Sequence, residues 1–227
     1  MGACCGKLPS SEEFLEKFEA SPAKCLGQPS SDVILLAMQQ KFLSLSSQDF
    51  SVKDNKGNII AILDGKNLSL RDRAVLMNAN REPIACLLEK IFSGSITFFV
   101  YAYKPYFDGQ KPCGEKQNGQ ELYAWAKIWK KLLSITDEFH ICMATGDNEY
   151  EAAEPGTYEG KAPGKLSSKL MVTKNGKGCC LIDREELQWG DLIGTNSYAV
   201  SIAAGIDPVL MIALTAIKDR SEEQGGG

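Results

Sequence analysis

The stretch Asp207-Pro-Val-Leu-Met-Ile-Ala-Leu-Thr-Ala-Ile217 decides the fold of this chain. Asp207 is a favourable helix N-cap and Pro208 is the preferred first residue of a helix, so the stretch predicts a helix that begins at Pro208. From Val209 to Ile217 that helix is apolar on every side. A helix of this kind must be buried inside a protein or surrounded by lipid.

Burial in protein is the better of these two environments. A spanning helix needs about 20 apolar residues, and the window that approaches this length, Tyr198 to Ile217, has Asp207 and Pro208 at its centre. A central Asp costs about 2.5–3.5 kcal/mol on insertion scales, and the clean run after it covers only about 15 Å. Burial contributes roughly 10–15 kcal/mol from the large side chains of the central helix: Val209, Leu210, Met211, Ile212, Leu214 and Ile217.

The residues ahead of this helix carry strand and hairpin patterns. Phe50 to Leu63 is an alternating strand, a turn at Asp54 to Gly57 and a second apolar strand, as expected of a β-hairpin. Asn175-Gly176 between two apolar runs is a strong hairpin signal, and Pro105 to Gly119 has loop composition. Further strand patterns cover Leu68–Leu88 with a turn at Asn78–Glu82, Ser95–Tyr103, Leu122–Lys131, Phe139–Ala144 and Asn196–Ala203.

These elements together predict a mainly β (α+β) fold. Strands can surround an all-apolar helix only by closing around it, so we expect a closed antiparallel β-barrel threaded by its own C-terminal helix. At 227 residues the chain has room for one sizeable domain. We expect an N-terminal tail over residues 1–31, the barrel domain over residues 32–220 and a disordered tail over residues 221–227.

Composition restricts the classes of partner. A net charge of −4 does not favour binding to nucleic acid, because such binding needs clustered Lys and Arg side chains. The eight cysteines show neither CxxC pairs nor the regular spacing of a disulfide framework, and no secretory signal precedes them. We therefore expect a reducing, cytosolic setting and no transmembrane span.

The N-terminus predicts a lipid anchor. Removal of Met1 would expose Gly2 as a myristoylation acceptor, with Cys4 and Cys5 beside it as palmitoylation sites. The usual acceptor pattern has Ser or Thr where this chain has Gly6, so an unmodified terminus stays open as the alternative. Two acyl chains would make the anchoring stable, whereas one gives only marginal binding.

A short amphipathic helix is expected after this terminus. Ser10 and Glu13 have the spacing of a capping box, and Phe14, Leu15 and Phe18 form one helical stripe behind it. Residues 20–31 have linker composition.

The chain resembles the LURP-one-related family over about Asp32 to Arg220. The residues that carry the resemblance are the hairpins from Phe50, the phrase Asp64-Gly-Lys-Asn-Leu-Ser-Leu and the ending Ser201-Ile-Ala-Ala-Gly-Ile-Asp-Pro-Val-Leu-Met-Ile-Ala-Leu. That family is similar to the C-terminal domains of tubby proteins and to phospholipid scramblases. The resemblance implies a closed barrel of about twelve strands around a central helix. It also implies a link to membranes or defence signalling, as for other members of the family. Tubby members bind phosphatidylinositol bisphosphate, but the resemblance transfers no ligand residue to this chain.

The best local group of basic and aromatic residues lies between Tyr123 and Lys131. A strand there would project Trp125, Lys127 and Trp129 on one face, with Lys130 and Lys131 alongside. Tryptophan beside lysine suits a membrane interface, and each lysine attracts anionic headgroups with about 1 kcal/mol. These residues are the candidate anionic-lipid site. A half-buried strand with solvated lysines and core tryptophans explains the same residues and stays open.

Catalytic chemistry has little support in the sequence. His140 is the single histidine, and its place between Phe139 and Ile141 on a predicted strand favours a structural role. Cys179 and Cys180 are expected to pack within a strand, because a metal site would need a second pair of ligands. We predict no catalytic residue, no metal site and no cofactor. Scattered lysines predict an ordinary charged surface: Lys161, Lys165, Lys169, Lys174 and Lys177.

Three functional hypotheses follow from these patterns. The leading one is a non-enzymatic, cytoplasmic barrel that binds anionic phospholipid headgroups, phosphoinositides included, or a protein partner at the cytoplasmic face of a membrane. The second is a phospholipid scramblase-like lipid transporter, which requires the C-terminal segment to enter the bilayer. The third is a small hydrolase or redox enzyme built on Cys86, Cys142 or His140, which has only composition behind it.

Overall fold

The predicted C-terminal helix lies inside a closed barrel. The computed structural model describes residues 10–20, 25–40, 50–64, 73–92, 95–131, 137–151, 157–164, 167–184 and 197–225. Helix α2, Pro208–Gly225, begins at the predicted residue. Its apolar side chains join one core with the inner faces of the strands. The prediction of a barrel around a central helix is confirmed.

Twelve antiparallel strands close the barrel, in the order β1-β14-β13-β12-β11-β10-β9-β6-β5-β4-β3-β2, with β2 pairing back to β1. A separate two-stranded sheet, β7 with β8, lies within the segment between β6 and β9. The strands are β1 Ile34–Gln40, β2 Phe50–Asp54, β3 Ile59–Asp64, β4 Arg73–Asn78, β5 Pro83–Phe92, β6 Ser95–Ala102, β7 Lys116–Gln117, β8 Gln120–Glu121, β9 Tyr123–Lys131, β10 Glu138–Met143, β11 Tyr158–Lys161, β12 Lys169–Lys174, β13 Lys177–Asp183 and β14 Ser197–Ile202.

The hairpins predicted from turn residues are present. Asn175 and Gly176 both have positive φ, 51° and 80°, as a tight two-residue turn between β12 and β13 requires. Two barrel strands went unidentified in the sequence. Strand β11 has only four residues, and its sequence Tyr-Glu-Gly-Lys contains no apolar run. Strand β1 begins with a continuous apolar run, which periodicity cannot assign to a strand or a helix.

The central helix is buried along its apolar half. Leu210 is 1% exposed and Met211 is 0% exposed, and the other large side chains predicted for the helix core, Val209, Ile212, Leu214 and Ile217, are also buried. The helix side chains fill the interior of the barrel and form one core with the inner faces of the strands. Exclusion of water from this apolar surface stabilises the fold.

Burial continues past the point where the apolar pattern stops. Lys218 is 0% exposed and Asp219 is 7% exposed. Both side chains have polar partners, since Lys218 forms an ion pair with Glu222 and the Tyr198 hydroxyl donates to Asp219 Oδ1 over 2.8 Å. The helix extends five residues beyond the expected domain end at residue 220, so residues 221–225, expected in a disordered tail, are helical.

The N-terminal segment, residues 10–20 and 25–31, packs against the barrel. Helix α1, Ser11–Phe14, starts with the predicted capping box: the Ser10 amide donates to Glu13 Oε2 over 3.0 Å and the Glu13 amide donates to Ser10 Oγ over 3.3 Å. The helix is a single turn, shorter than predicted. Beyond it the backbone bonds to the barrel instead, because the Phe18 amide donates to the Ala204 carbonyl over 3.0 Å.

Substitution of Leu210 by Asp is expected to abolish folding. The new carboxylate would lie in the apolar interior with no cationic partner, which costs more than about 4 kcal/mol. Circular dichroism and thermal unfolding of the purified variant measure the effect. Ile59→Asp is the matched control, since Ile59 is 45% exposed and should melt close to the wild type. A native spectrum and melting temperature for Leu210→Asp would contradict the central-helix arrangement.

Candidate functional site

We refer to the end of the barrel at which α2 begins as the cavity end. Ile202, the last residue of β14, pairs with Ile34 at the start of β1, and Leu36 pairs with Asp54 at the end of β2. The β2–β3 turn therefore lies at this end, next to the start of α2. The N-terminal segment crosses the same end, because the Gly205 amide donates to the Ser30 carbonyl over 2.9 Å.

A cavity of about 440 Å³ opens at this end, beside the first turn of α2. That volume lies in the range of sites for small molecules, which are mostly apolar with a few placed polar groups. Four aromatic side chains line it: Tyr106, Phe107, Trp125 and Tyr158. Three charged side chains line it as well: Glu151, Lys174 and Asp207. The lining residues come from separate parts of the chain, so no sequence motif predicts the cavity.

Asp207 joins the helix, the N-terminal segment and the cavity. It caps α2 by accepting a hydrogen bond from the Val209 amide over 2.8 Å. It also accepts from the amides of Leu26, over 2.6 Å, and Gly27, over 3.1 Å. Burial raises the pKa of its carboxyl to about 6, although the hydrogen bonds from these amides oppose the shift. The sequence predicted Asp207 as the helix cap, but it did not predict the hydrogen bonds from the amides of Leu26 and Gly27, which are distant in sequence.

The other two charged groups of the cavity differ in how they are satisfied. Glu151 Oε2 accepts from the Thr157 hydroxyl over 2.6 Å and from the Met143 amide over 3.1 Å. Lys174 Nζ lies 5.3 Å from the ring centroid of Tyr158 and 5.8 Å from that of Phe18. No carboxylate of the described residues lies within ion-pair distance of this ammonium, so aromatic faces are what hold it.

The predicted common face of Trp125, Lys127 and Trp129 does not form. Tyr101 pairs with Ala124 whereas Val100 pairs with Ala126, so β9 has a bulge at Trp125. The bulge places Trp125 in the core, 0% exposed, and it lines the cavity. Lys127 and Trp129 lie on the outside of the barrel, where the Trp129 ring stacks on His140.

Of the remaining residues proposed for lipid contact, the structure describes the side chain of Lys130 alone. Lys130 Nζ forms an ion pair with Asp137 Oδ1 over 2.6 Å, which offsets its charge. Lys131 is the last residue of β9. Gly2, Cys4 and Cys5 lie outside the described residues. The structure therefore does not bring Trp125, Lys127 and Trp129 together on one face.

The groups considered for catalysis are buried. His140 is 3% exposed, with its ring centroid 4.4 Å from that of Trp129. Burial raises the pKa of Cys86 to about 11 and also raises the pKa of Cys142, so both thiols stay protonated near neutral pH and are poor nucleophiles. Within the described ranges, no three His, Cys, Asp or Glu side chains are grouped so that they could hold a metal ion.

The cavity end also carries exposed apolar side chains. Val33 is 52% exposed, Leu35 is 37% exposed and Ile59 is 45% exposed. In the part of the chain that the structure describes, these are the large hydrophobic side chains left in solvent. Lys53, whose backbone pairs with Ile59, and the exposed Lys56 lie beside them. No helix in that same part of the chain is both long and apolar enough to cross a membrane.

The stability of the protein is expected to depend on pH through Asp207. Its pKa in the folded protein, about 6, lies above its ordinary value of 3.8, so the folded state binds the proton more tightly. This contribution is fully present below pH 4 and is lost as the pH rises through about 6. Relative to Asp207→Asn, the wild type should lose up to about 3 kcal/mol of unfolding free energy over this window.

Denaturant unfolding at pH 4, 5, 6 and 7 measures the difference between the two proteins. Asp54→Asn is the control, because hydrogen bonding to Asn58 lowers the pKa of the exposed Asp54 carboxyl. Its difference from the wild type should stay constant from pH 5 to pH 7, because the Asp54 carboxyl is ionised there in both the folded and the unfolded states. A constant difference between the wild type and Asp207→Asn from pH 4 to pH 7 would rule out the proposed role of Asp207.

Comparison with known proteins agrees with this architecture. A solved X-ray structure of an Arabidopsis thaliana protein matches with a TM-score of 0.56 at 15% sequence identity, over 91% of this chain and 99% of that one. At that identity the likeness establishes the fold alone. No curated protein matches this chain by sequence. The model of the LURP-one-related family matches residues 34–219, from the start of β1 into α2. The chain therefore belongs to the LURP-one-related family.

Proposed function

We propose that this protein is a non-enzymatic binding protein that attaches to the cytoplasmic face of a membrane through acyl groups at Gly2, Cys4 and Cys5, with the cavity end toward the lipid. The observation that carries this proposal is the position of the exposed apolar side chains. Val33, Leu35 and Ile59 lie at the end of the barrel that the N-terminal segment crosses. An anchor and an apolar surface at the same end can engage one bilayer together.

The attachment of the N-terminal segment supports this orientation. The Glu16 amide donates to the Gly178 carbonyl over 2.9 Å, next to the contact between Phe18 and Ala204. Gly2 precedes Ser10 by eight residues, which restricts an acyl chain on Gly2 to within about 30 Å of Ser10. An acylated terminus would thus keep the bilayer within reach of the cavity end, and the exposed apolar side chains would then select that end.

The energetics favour several weak contributions acting together. One myristoyl chain alone gives marginal and reversible binding, so a second acyl chain or a protein surface must add to it. Partial insertion of three apolar side chains adds to it through the hydrophobic effect. Lys53 and Lys56 beside Ile59 would each attract anionic headgroups with about 1 kcal/mol. We therefore infer a preference for membranes that contain anionic phospholipid, phosphoinositides included.

This surface is a better candidate than the group on β9. Of the side chains that the structure describes there, Trp125 is in the core, Lys130 is paired with Asp137 and the Trp129 ring stacks on His140. The scramblase-like alternative would require α2 to leave the barrel. That step would separate Asp219 from the Tyr198 hydroxyl and the Lys218 ammonium from the Tyr198 ring, and no observation favours it.

Flotation with liposomes tests the proposal. The full chain, co-expressed with an N-myristoyltransferase and a palmitoyltransferase, should float with vesicles of phosphatidylcholine and phosphatidylserine. Gly2→Ala should lower the bound fraction at least about tenfold, because loss of the first acyl chain also removes the signal for the second. A triple variant Val33→Ser, Leu35→Ser, Ile59→Ser should lower it several-fold.

Lys116→Gln is the matched control, because Lys116 is exposed on β7, outside the barrel sheet. It should float like the wild type, and Lys53→Gln with Lys56→Gln should reduce flotation only with anionic vesicles. The proposal fails if the acylated wild type stays at the bottom of the gradient with every vesicle. Retention after carbonate extraction would instead indicate a protein that spans the bilayer.

A further inference from the structure

The cavity is lined by one ammonium group that no carboxylate of the described residues pairs with. The Trp125 indole Nε1 is buried and has no acceptor within the described residues, and the ring of Trp125 lines the cavity. The Lys174 ammonium lies near the rings of Tyr158 and Phe18, and no carboxylate of the described residues is within ion-pair distance of it. An ammonium group without a carboxylate partner gains a charge-assisted hydrogen bond when an anion binds beside it.

The two acidic groups of the cavity have their donors already. Asp207 accepts from the amides of Leu26, Gly27 and Val209. Glu151 accepts from the Thr157 hydroxyl and the Met143 amide. Amide dipoles and the N-terminus of α2 offset the Asp207 charge at close range. The charged group of the cavity lining that has no charged partner among the described residues is therefore Lys174.

The rest of the lining favours an aromatic body. Tyr106, Phe107, Trp125 and Tyr158 provide faces and edges for a planar ring, and Leu210 and Met143 provide apolar surface. A cavity of about 440 Å³ accommodates a small organic molecule rather than a peptide. Cys25 of the N-terminal segment forms part of the wall, so the segment that crosses the barrel end also helps to enclose the ligand.

We propose that the cavity binds a small aromatic organic acid, whose anionic group is held by Lys174 and whose ring lies among Tyr106, Trp125 and Tyr158. This site is distinct from the exposed apolar surface, and it does not depend on attachment to a membrane. A charge-assisted hydrogen bond from the ammonium is the main polar contact. The ring of Trp125 forms part of the aromatic wall against which the ligand lies.

Two dyes that share one aromatic body test the role of the anion. The purified full chain is titrated with 8-anilino-1-naphthalenesulfonate, which is an anion, and with N-phenyl-1-naphthylamine, which lacks the sulfonate. Fluorescence and calorimetry should show one site for the sulfonate and at least about tenfold weaker binding of the neutral amine. Lys174→Met should weaken the sulfonate at least about tenfold and leave the neutral amine unchanged, whereas Lys174→Arg should restore binding.

Lys177→Met is the matched control on the same hairpin, since the Lys177 side chain is 63% exposed and faces Glu16. It should bind the sulfonate like the wild type. A readout without any substitution is the indole ¹H–¹⁵N resonance of Trp125, which should shift when the sulfonate binds. Competition separates two kinds of acid: 1-naphthoate should displace the dye more effectively than dodecanoate.

Three results would overturn the proposal. Equal affinity of the sulfonate for the wild type and folded Lys174→Met would exclude the ammonium as its partner. Equal affinity of the two dyes would exclude recognition of an anion. More effective displacement by dodecanoate would identify a fatty acid, and hence a lipid-derived ligand, in place of an aromatic acid.

Discussion

The structure depends on one constraint: a helix that is apolar on every side must be surrounded. A single sheet covers one side of a helix, so a sheet that closes on itself is the arrangement that covers α2 completely. Closure also pairs both edges of the sheet, because β1 bonds to both β14 and β2. The same enclosure extends to the charged residues that follow Ile217. Lys218 and Asp219 are buried and paired because the helix continues inside the barrel after its apolar half ends.

Asp207 connects this core to the candidate functional end. Its carboxylate caps α2 and holds the amides of Leu26 and Gly27, which lie about 180 residues earlier in the chain. The approach is close, since a Cβ on Gly27 would come within 2.8 Å of Asp207 Oδ1. The N-terminal segment is therefore part of the folded unit. Membership of a family and a shared barrel establish the fold, while function depends on the residues placed at this end.

The two proposed surfaces share the cavity end but use different chemistry. The exterior presents Val33, Leu35 and Ile59 to solvent, where a bilayer could cover them. The interior presents the Lys174 ammonium and aromatic rings to a cavity, where a small aromatic acid could bind. The bulge in β9 decides the role of Trp125, because one extra residue in the strand turns this side chain from the outer surface to the core.

Local pattern was enough to predict α2, its first residue, the closed barrel and most of the hairpins. These features depend on residues close in sequence: a cap followed by proline, apolar periodicity and turn residues such as Asn175-Gly176. The sequence did not predict β1 and β11, the bulge at Trp125 or the paired burial of Lys218. Nor could it assemble the cavity, whose charged residues Glu151, Lys174 and Asp207 come from separate elements. Each of these depends on strand register and on contacts between distant segments, which are decided when the barrel closes and not by local preference.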